Sequence, residues 1–587
     1  MTRKYFEEEM RYLHEAGKVF AETYPEQARY LNIESISDRD PYVERLFEGF
    51  AFLAGKVHER LDDELPEYAE SLLHLIDPDF LRPVPAMSLV EFSPEPGALQ
   101  SAATLPRGTE LVSDAVGEDE IACRFQTSAP ATVRPIRLEN AKLHWLSDGT
   151  SKVTIHLALE DALPLSELQL DELRLYFYAE PRQAARMYLH FTQHVRSVTA
   201  RAEGTGEQSQ GQEHNLGQDA IAPGGFRRDE RLLPRSKRAF SGFRLLQEYL
   251  CFRQKFWCVD VKGLDRLEQR ADEADAITLI IYFDKAYPEE HRFSKENVRL
   301  HCVPVINLFE QDADPIRVDH ERSEYQLLAG SQSRHSYEVY DVQKVVGREA
   351  RTGKTRVYQP LYGSGSRQNG SQRRYSLSQR IGPSGRFETY IRLNHAGADG
   401  DIARETVSVD LRCTNGTLPR EYLQEHSIHE FGSSVPYEVQ PDNLLQPTLI
   451  LYPPHHRHDD LVWQFIAHRS LNYRTVADRE VLVGLLELYD WSKSTGNRRR
   501  REGIRNVTWR PKEVLDRGAI KRGAEVVVEI EDDHFMGEGD VCVFGEVLSR
   551  FLSLYATINS FVHLTIEMTP SGTTYQWTPA NGQRHLV

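Results

Sequence analysis

Apolar positions in the first eighty residues recur at helical spacing. Phe6, Met10, Leu13, Gly17 and Phe20 step by four and three, the period of one helix face. Tyr24-Pro25 ends that run, because the residue before proline is pushed out of the helical region. Asp40-Pro41 predicts a second start, with Asp capping orphan N–H groups and Pro fitting the first turn. The stripe Val43, Phe47, Phe50, Leu53, Val57 and Leu61 follows. Pro66 opens a third, shorter helix through Leu72, Leu73 and Ile76, closed by Asp77-Pro78. Narrow apolar seams of this kind belong to bundle helices. They either pack on each other and on the rest of the chain, or bind helices of another subunit. Phe6, Phe20, Phe47 and Phe50 are many large aromatics for so short a segment, which favours a partner.

After Pro83-Val84-Pro85 the period changes from helical to two. Val153, Ile155, Leu157 and Leu159 alternate with other residues, as do Leu173, Leu175 and Phe177, and Val407, Val409 and Leu411. Residues 277–283 form a short β-branched run. The strands are short and separated by turn residues, which predicts several antiparallel β modules and not one α/β sheet. Residues 203–226 and 361–375 are Gly/Gln- and Gly/Ser-rich with few large apolar groups, and are expected to be long mobile loops. Near the end, 524–530 reads as a strand. Phe544, Val547, Leu548, Phe551, Tyr555 and Ile558 share one helix face, and 561–568 alternates as a second strand.

The predicted fold class is therefore α+β and multidomain. It comprises a helical arm (1–80), a β-rich module (84–265) with mobile loop 203–226, β-rich modules (266–480) with mobile loop 361–375, and a C-terminal α/β module (481–587). The 587 residues agree with a prior of about 150 per domain.

Charge sharpens this division. The chain carries 71 Lys+Arg against 88 Asp+Glu, net −17. Residues 1–80 hold 9 Lys+Arg and 19 Asp+Glu, so −10 sits in the arm. Residues 491–522 hold 11 against 3, a basic island of +8 that includes Arg498, Arg499, Arg500 and Arg501. An overall anion is repelled by phosphate, so a protein that coats nucleic acid is disfavoured. The island is read as a surface that docks an acidic protein, with a plain surface loop as its alternative. Mean hydropathy is −0.53, and no apolar run approaches the ~20 residues of a spanning helix. The opening residues lack the apolar segment of a secretory leader. The six cysteines are scattered without a CxxC pair, as expected of a reduced cytosolic chain.

Catalytic patterns are weak. The tract 454–460 (PHHRHDD) resembles metal ligands but stands alone. Residues 529–534 (EIEDDH) offer carboxylates that do not define an acid/base pair. Cys251 and Cys258 flank Arg253 and Lys255, cations able to lower a thiol pKa, although buried free cysteines are commoner. Walker, nucleophile-elbow, HExxH and dinucleotide motifs are missing from the sequence. A carbohydrate-active β-rich enzyme with an appended helical arm is the alternative reading.

A series of short motifs runs the length of the chain: 5–13 (YFEEEMRYL), 38–46 (DRDPYVERL), 105–109 (LPRGT), 123–127 (CRFQT), 242–249 (GFRLLQEY), 304–309 (PVINLF), 411–416 (LRCTNG), 468–473 (HRSLNY), 545–548 (GEVL) and 558–561 (INSF). In this order they resemble the TssF family (also VasA or ImpG), baseplate wedge subunits of the bacterial type VI secretion system. The resemblance implies a structural protein without catalytic residues, cofactor or metal. It implies a homodimer bound to TssG, with TssK and TssE attached, in a wedge around the VgrG spike and the Hcp tube. It also implies a cytoplasmic place, docked at the inner membrane only through other subunits. The helical seam (Phe6, Met10, Leu13, Phe20, Val43, Phe47, Phe50, Leu53 and Val57) and the island (Arg498–Arg501) are the expected partner-binding residues.

Overall fold

The computed structural model describes the chain except residues 1, 25–40, 43, 57–76, 78, 205–212, 235–240, 268–272, 290–291, 319–321, 331–335, 351, 362–372, 383–385, 396–404, 433–437, 454–476, 517–518, 557–559 and 583–587. Val43, Val57, the third predicted helix, the histidine tract and residues 205–212 and 362–372 of the Gly-rich stretches lie outside the described residues. The chain divides into two compact units, 1–80 with 454–469, and 81–453 with 470–587.

In the first unit, α1 spans Thr2–Thr23. Residues 41–42 and 44–56 are also helical, and the run 44–56 is α2. His14 of α1 lies 3.1 Å from Glu44, and its ring is 6.4 Å from that of Phe47, so the two helices meet there.

The second unit is built from sheets, mostly antiparallel. A six-stranded sheet runs Ile428–Phe431, Glu110–Val116, Ile121–Thr127, Cys302–Ile306, Met87–Pro94, Val439–Asn443. Its inner face carries Val90, Phe92, Leu111, Phe125, Val303 and Val305, all buried in one core. An eight-stranded sheet centres on Glu405–Thr414 and Glu338–Glu349, with Val345, Val407, Val409 and Leu411 in a second core. The α+β architecture and its mainly antiparallel sheets agree with the hydrophobic pattern.

Three details differ from the sequence reading. Strand Glu273–Phe283 lies between Ser151–Pro164 and Val195–Glu203, so pairing crosses the boundary drawn at 265/266. Alternation marks a strand but carries no information about which distant strand it joins. Within 203–226, residues 213–226 are ordered into strands His214–Asn215 and Ile221–Pro223 around a 3-10 turn. Backbone pairing to Val195–Glu203 and Cys258–Lys262 orders them without large side chains. The basic island is no loop: it contains a helix and a long hairpin.

The helices of this unit include α3 (Pro181–Gln193), α4 (Ser241–Cys251), α5 (Arg479–Tyr489), α6 (Thr495–Glu502) and α7 (Glu538–Ser553), and α4 packs on α5 and α7. Asp478 caps α5, accepting from the N–H groups of Glu480 and Val481. The predicted face of α7 is buried: Phe544, Val547, Leu548 and Phe551 are all at most 2% exposed. Helix α7 crosses between the parallel strands Ala519–Glu531 and Phe561–Thr569. Gly539 lets it approach α3, since a Cβ there would stand 2.3 Å from the carbonyl oxygen of Ala185. Phe243 of α4 stacks on Tyr489 of α5, ring centroids 4.7 Å apart.

Candidate interaction surfaces

Helix α2 is apolar on two opposite sides. At about 100° per residue, Phe47, Ala51 and Gly55 share one face. Ala51 and Gly55 are buried and Phe47 is half-buried, so this face is turned inward. Leu46, Phe50 and Leu53 step by four and three on the opposite face, and Tyr42 stands four residues before Leu46. Tyr42, Leu46, Phe50 and Leu53 are 85%, 72%, 60% and 64% exposed. Nine of the fifteen large apolar side chains exposed among the described residues lie between Tyr12 and Leu53, including Val19, Phe20, Tyr24 and Phe52. An amphipathic surface helix shows one apolar stripe, and a second one needs a second cover.

The expected seam residues therefore divide. Phe6, Met10, Leu13 and Phe47 are half-buried, while Phe20, Phe50 and Leu53 are exposed. Sequence reading merged the inner and outer stripes of α2 into one. It passed over Tyr42 and Leu46, whose spacing to Phe50 was the available signal.

The basic island is largely spent inside the molecule. In α6, Arg500 is buried and donates through Nε to Asp540 at 2.7 Å. Arg501 donates to the buried Asp490 at 2.6 Å. Both are corrected from docking residues to internal ion pairs, because neighbouring carboxylates on α7 and at the end of α5 claim them. Arg499 donates to the carbonyl of Asp533 at 2.7 Å while remaining exposed. Arg498 pairs with Glu502 on its own helix, its side chain 74% exposed. Asn497 completes the junction, donating to the carbonyl of Leu250 and accepting from Arg253.

The sequence-level candidates for chemistry are committed elsewhere. Glu531 pairs with Arg505 at 2.5 Å and with His534 at 3.0 Å, and Asp532 accepts from the Ser571 N–H. Burial pushes the Cys258 thiol up to about 12, the reverse of an activated thiolate, and Lys255 is paired with buried Glu248. Arg174 bridges Glu230 and Asp260 in a buried network. A cleft of about 360 Å³ is lined by Glu91, Arg137, Lys295, Glu296 and Arg299. There Glu91 lies 3.8 Å from Arg299, and burial raises its carboxyl. Among the described residues, no group of three or more His, Cys, Asp or Glu is placed to hold a metal. No helix among them is long and apolar enough to cross a membrane. The geometry does not favour the carbohydrate-active alternative.

The comparisons with known proteins agree with the motifs. The family model described as "Type VI secretion system, TssF" matches residues 1–584. The type VI secretion system component TssF1 of Pseudomonas aeruginosa (strain PAO1) is 28% identical over 626 residues, covering 99% of this chain and 98% of the relative. A chain in a cryo-electron microscopy structure of a TssK-TssF-TssG baseplate subcomplex is 33% identical. It aligns with a TM-score of 0.79 over 92% of this chain and 99% of its own length. A chain of a type VI secretion baseplate complex is 30% identical, with a TM-score of 0.66 and full coverage of both chains. From its first helix to its last strands, this chain belongs to the TssF family of the type VI secretion system.

Proposed function

We propose that the chain is a structural baseplate subunit that assembles with TssG and TssK, and that the outer stripe of α2 is where it is covered by TssG. The observation that carries this reading is the exposed row Tyr42, Leu46, Phe50 and Leu53, opposite a face already packed. Burying a Leu- or Phe-sized side chain is worth roughly 1.5–3 kcal/mol. Leu46, Phe50 and Leu53 on α2, with Tyr42 before it, make a central apolar patch of the kind that dominates binding. The relative solved with TssK and TssG supports the choice of partners. The net charge of the arm, −10, orients the encounter and adds little affinity.

The finer reading is that two copies share one TssG, with TssE attached, around the VgrG spike and Hcp tube. The assembly is cytoplasmic and meets the membrane through other subunits. Of the four consecutive arginines, Arg498 and Arg499 keep their side chains exposed and dock an acidic surface.

The test is co-purification. Phe50→Asp with Leu53→Lys alters only exposed positions, so the thermal melt stays unchanged while TssG is lost. An intact TssG complex in the double variant overturns the proposal.

A further inference from the structure

The cleft of about 360 Å³ opens where three sheets leave strand edges uncovered. Ile136–Trp145 is the last strand of a five-stranded sheet and pairs on one side, with Ser151–Pro164. Val298–Arg299 is the last strand of a four-stranded sheet and pairs on one side, with Glu172–Phe177. Met87–Pro94 pairs with Cys302–Ile306 only as far as Glu91, and just beyond it the Phe92 N–H donates to the His301 carbonyl at 3.3 Å.

Successive strand residues point to opposite faces, so a cavity that touches several in a row meets the strand at its edge. The cleft touches Ile136, Arg137 and Leu138 in a row, and likewise Val298 through His301. Main-chain N–H and C=O groups along such edges are a template for a further strand. A segment that adds there gains affinity from the main chain and specificity from the side chains around it.

Those side chains indicate the kind of segment. Arg137 on the edge strand and Lys295 on the 3-10 turn Lys295–Asn297 are exposed, and neither is in an ion pair among the described residues. Glu91 lies 3.8 Å from Arg299, and burial raises its carboxyl, which favours the neutral form. Arg299 is not saturated by this contact, since its Nε–H is buried without a hydrogen-bond partner among the described residues. With Glu91 matched to Arg299, the free cations Arg137 and Lys295 outweigh Glu296, the exposed carboxylate of the cleft. We propose that the cleft takes a short extended segment of a partner subunit, which adds to the Ile136–Trp145 edge and sets an Asp or Glu side chain against Arg137 and Lys295. The proposal rests on the baseplate reading above and adds a contact separate from α2. A small anion fits less well, because it would meet the two cations and leave the strand edges uncovered.

The experiment uses the full chain and a purified TssG–TssK complex, with amide hydrogen exchange and with affinity measured at low and at raised salt. The amides of 136–138 should exchange roughly tenfold or more slowly in the complex than in the free chain. Arg137→Glu with Lys295→Glu should abolish that protection, weaken binding several-fold and flatten its salt dependence. The thermal melt of the variant should match the parent, because both altered side chains are exposed. Unchanged exchange at 136–138 in a parent chain that binds TssG–TssK overturns the proposal, and so does protection that survives the double reversal. Protection that appears instead when the chain self-associates assigns the edge to a second copy and overturns it. Inorganic phosphate that binds the parent and not the variant, while TssG–TssK leaves 136–138 unprotected, overturns it in favour of a small anion. If the parent itself does not bind TssG–TssK, the broader functional reading fails instead.

Discussion

Arg500 of α6 places both Nε and Nη2 at 2.7 Å from one carboxylate oxygen of Asp540 at the start of α7, with both side chains buried. The same oxygen accepts the Met536 N–H at 3.2 Å, and Arg253 stands 3.8 Å from the other. The pair joins the most basic segment of the chain to the helix that carries the C-terminal core.

Removing one member of a buried pair leaves the other uncompensated, at a cost of about 3–5 kcal/mol. Arg500→Ala should therefore lower the apparent Tm by calorimetry, whereas Arg498→Ser should leave it unchanged. If both variants melt like the parent, the inward assignment of Arg500 is wrong.

Helix α2 offers a contrast between adjacent residues. Ala51 is fully buried and Phe50 is 60% exposed. Ala51→Leu should overpack the inner face and cost about 1–3 kcal/mol. Phe50→Ala should be close to neutral in the free chain. Helical circular dichroism followed through a thermal melt separates the two.

Acid sensitivity should begin with buried imidazoles. Burial, with Arg134 as the nearby cation, pulls His301 down to about 3, and burial pulls His190 down to about 4. In the unfolded chain both titrate near 6.5. Between those values the unfolded state takes up protons that the folded state refuses, so stability falls as pH falls. Each histidine adds up to about 1.4 kcal/mol per pH unit in that range. Burial pushes the Glu230 carboxyl up, but Arg174 and Arg227 outweigh it and hold it at about 2. Its contribution is complete above about 4.5 and fades only below that. His301→Gln keeps an acceptor for the Arg134 N–H and should flatten the Tm profile between about pH 6.5 and 4.5. A profile identical to the parent's argues against a neutral buried imidazole.

Thiol labelling should be selective. Five cysteines are buried, and burial pushes Cys123, Cys258, Cys413 and Cys542 up to about 12. Cys251 is half-buried. A disulfide reagent at mildly alkaline pH should modify about one thiol in the folded chain, and Cys251→Ser should abolish that reaction. Rapid modification of Cys258 contradicts the packing around it.

Much of the architecture was legible along the chain. The period of 3.6 in the arm, the alternation in the body, and the face Phe544, Val547, Leu548 and Phe551 each correspond to an observed element. Local periodicity suffices there because one side of the element is buried and the other is not. The joint order of short motifs identified the family, which composition and charge alone did not.

Three things depended on the tertiary structure. Sequence places Phe47 and Phe50 on faces of one helix, but only packing against His14 and its surroundings shows which face is covered. The charge count makes Arg498–Arg501 one basic block, yet Asp490 at the end of α5 and the more distant Asp540, brought close by the fold, turn two of the four inward. The sequence reading left Leu515 and Ile520 inside the basic island, whereas the structure sets them opposite each other on paired strands that the third strand stops short of. Periodicity and charge are properties of the chain, while exposure is set by what the rest of the chain brings alongside. The surfaces proposed here for other subunits are those the chain leaves uncovered.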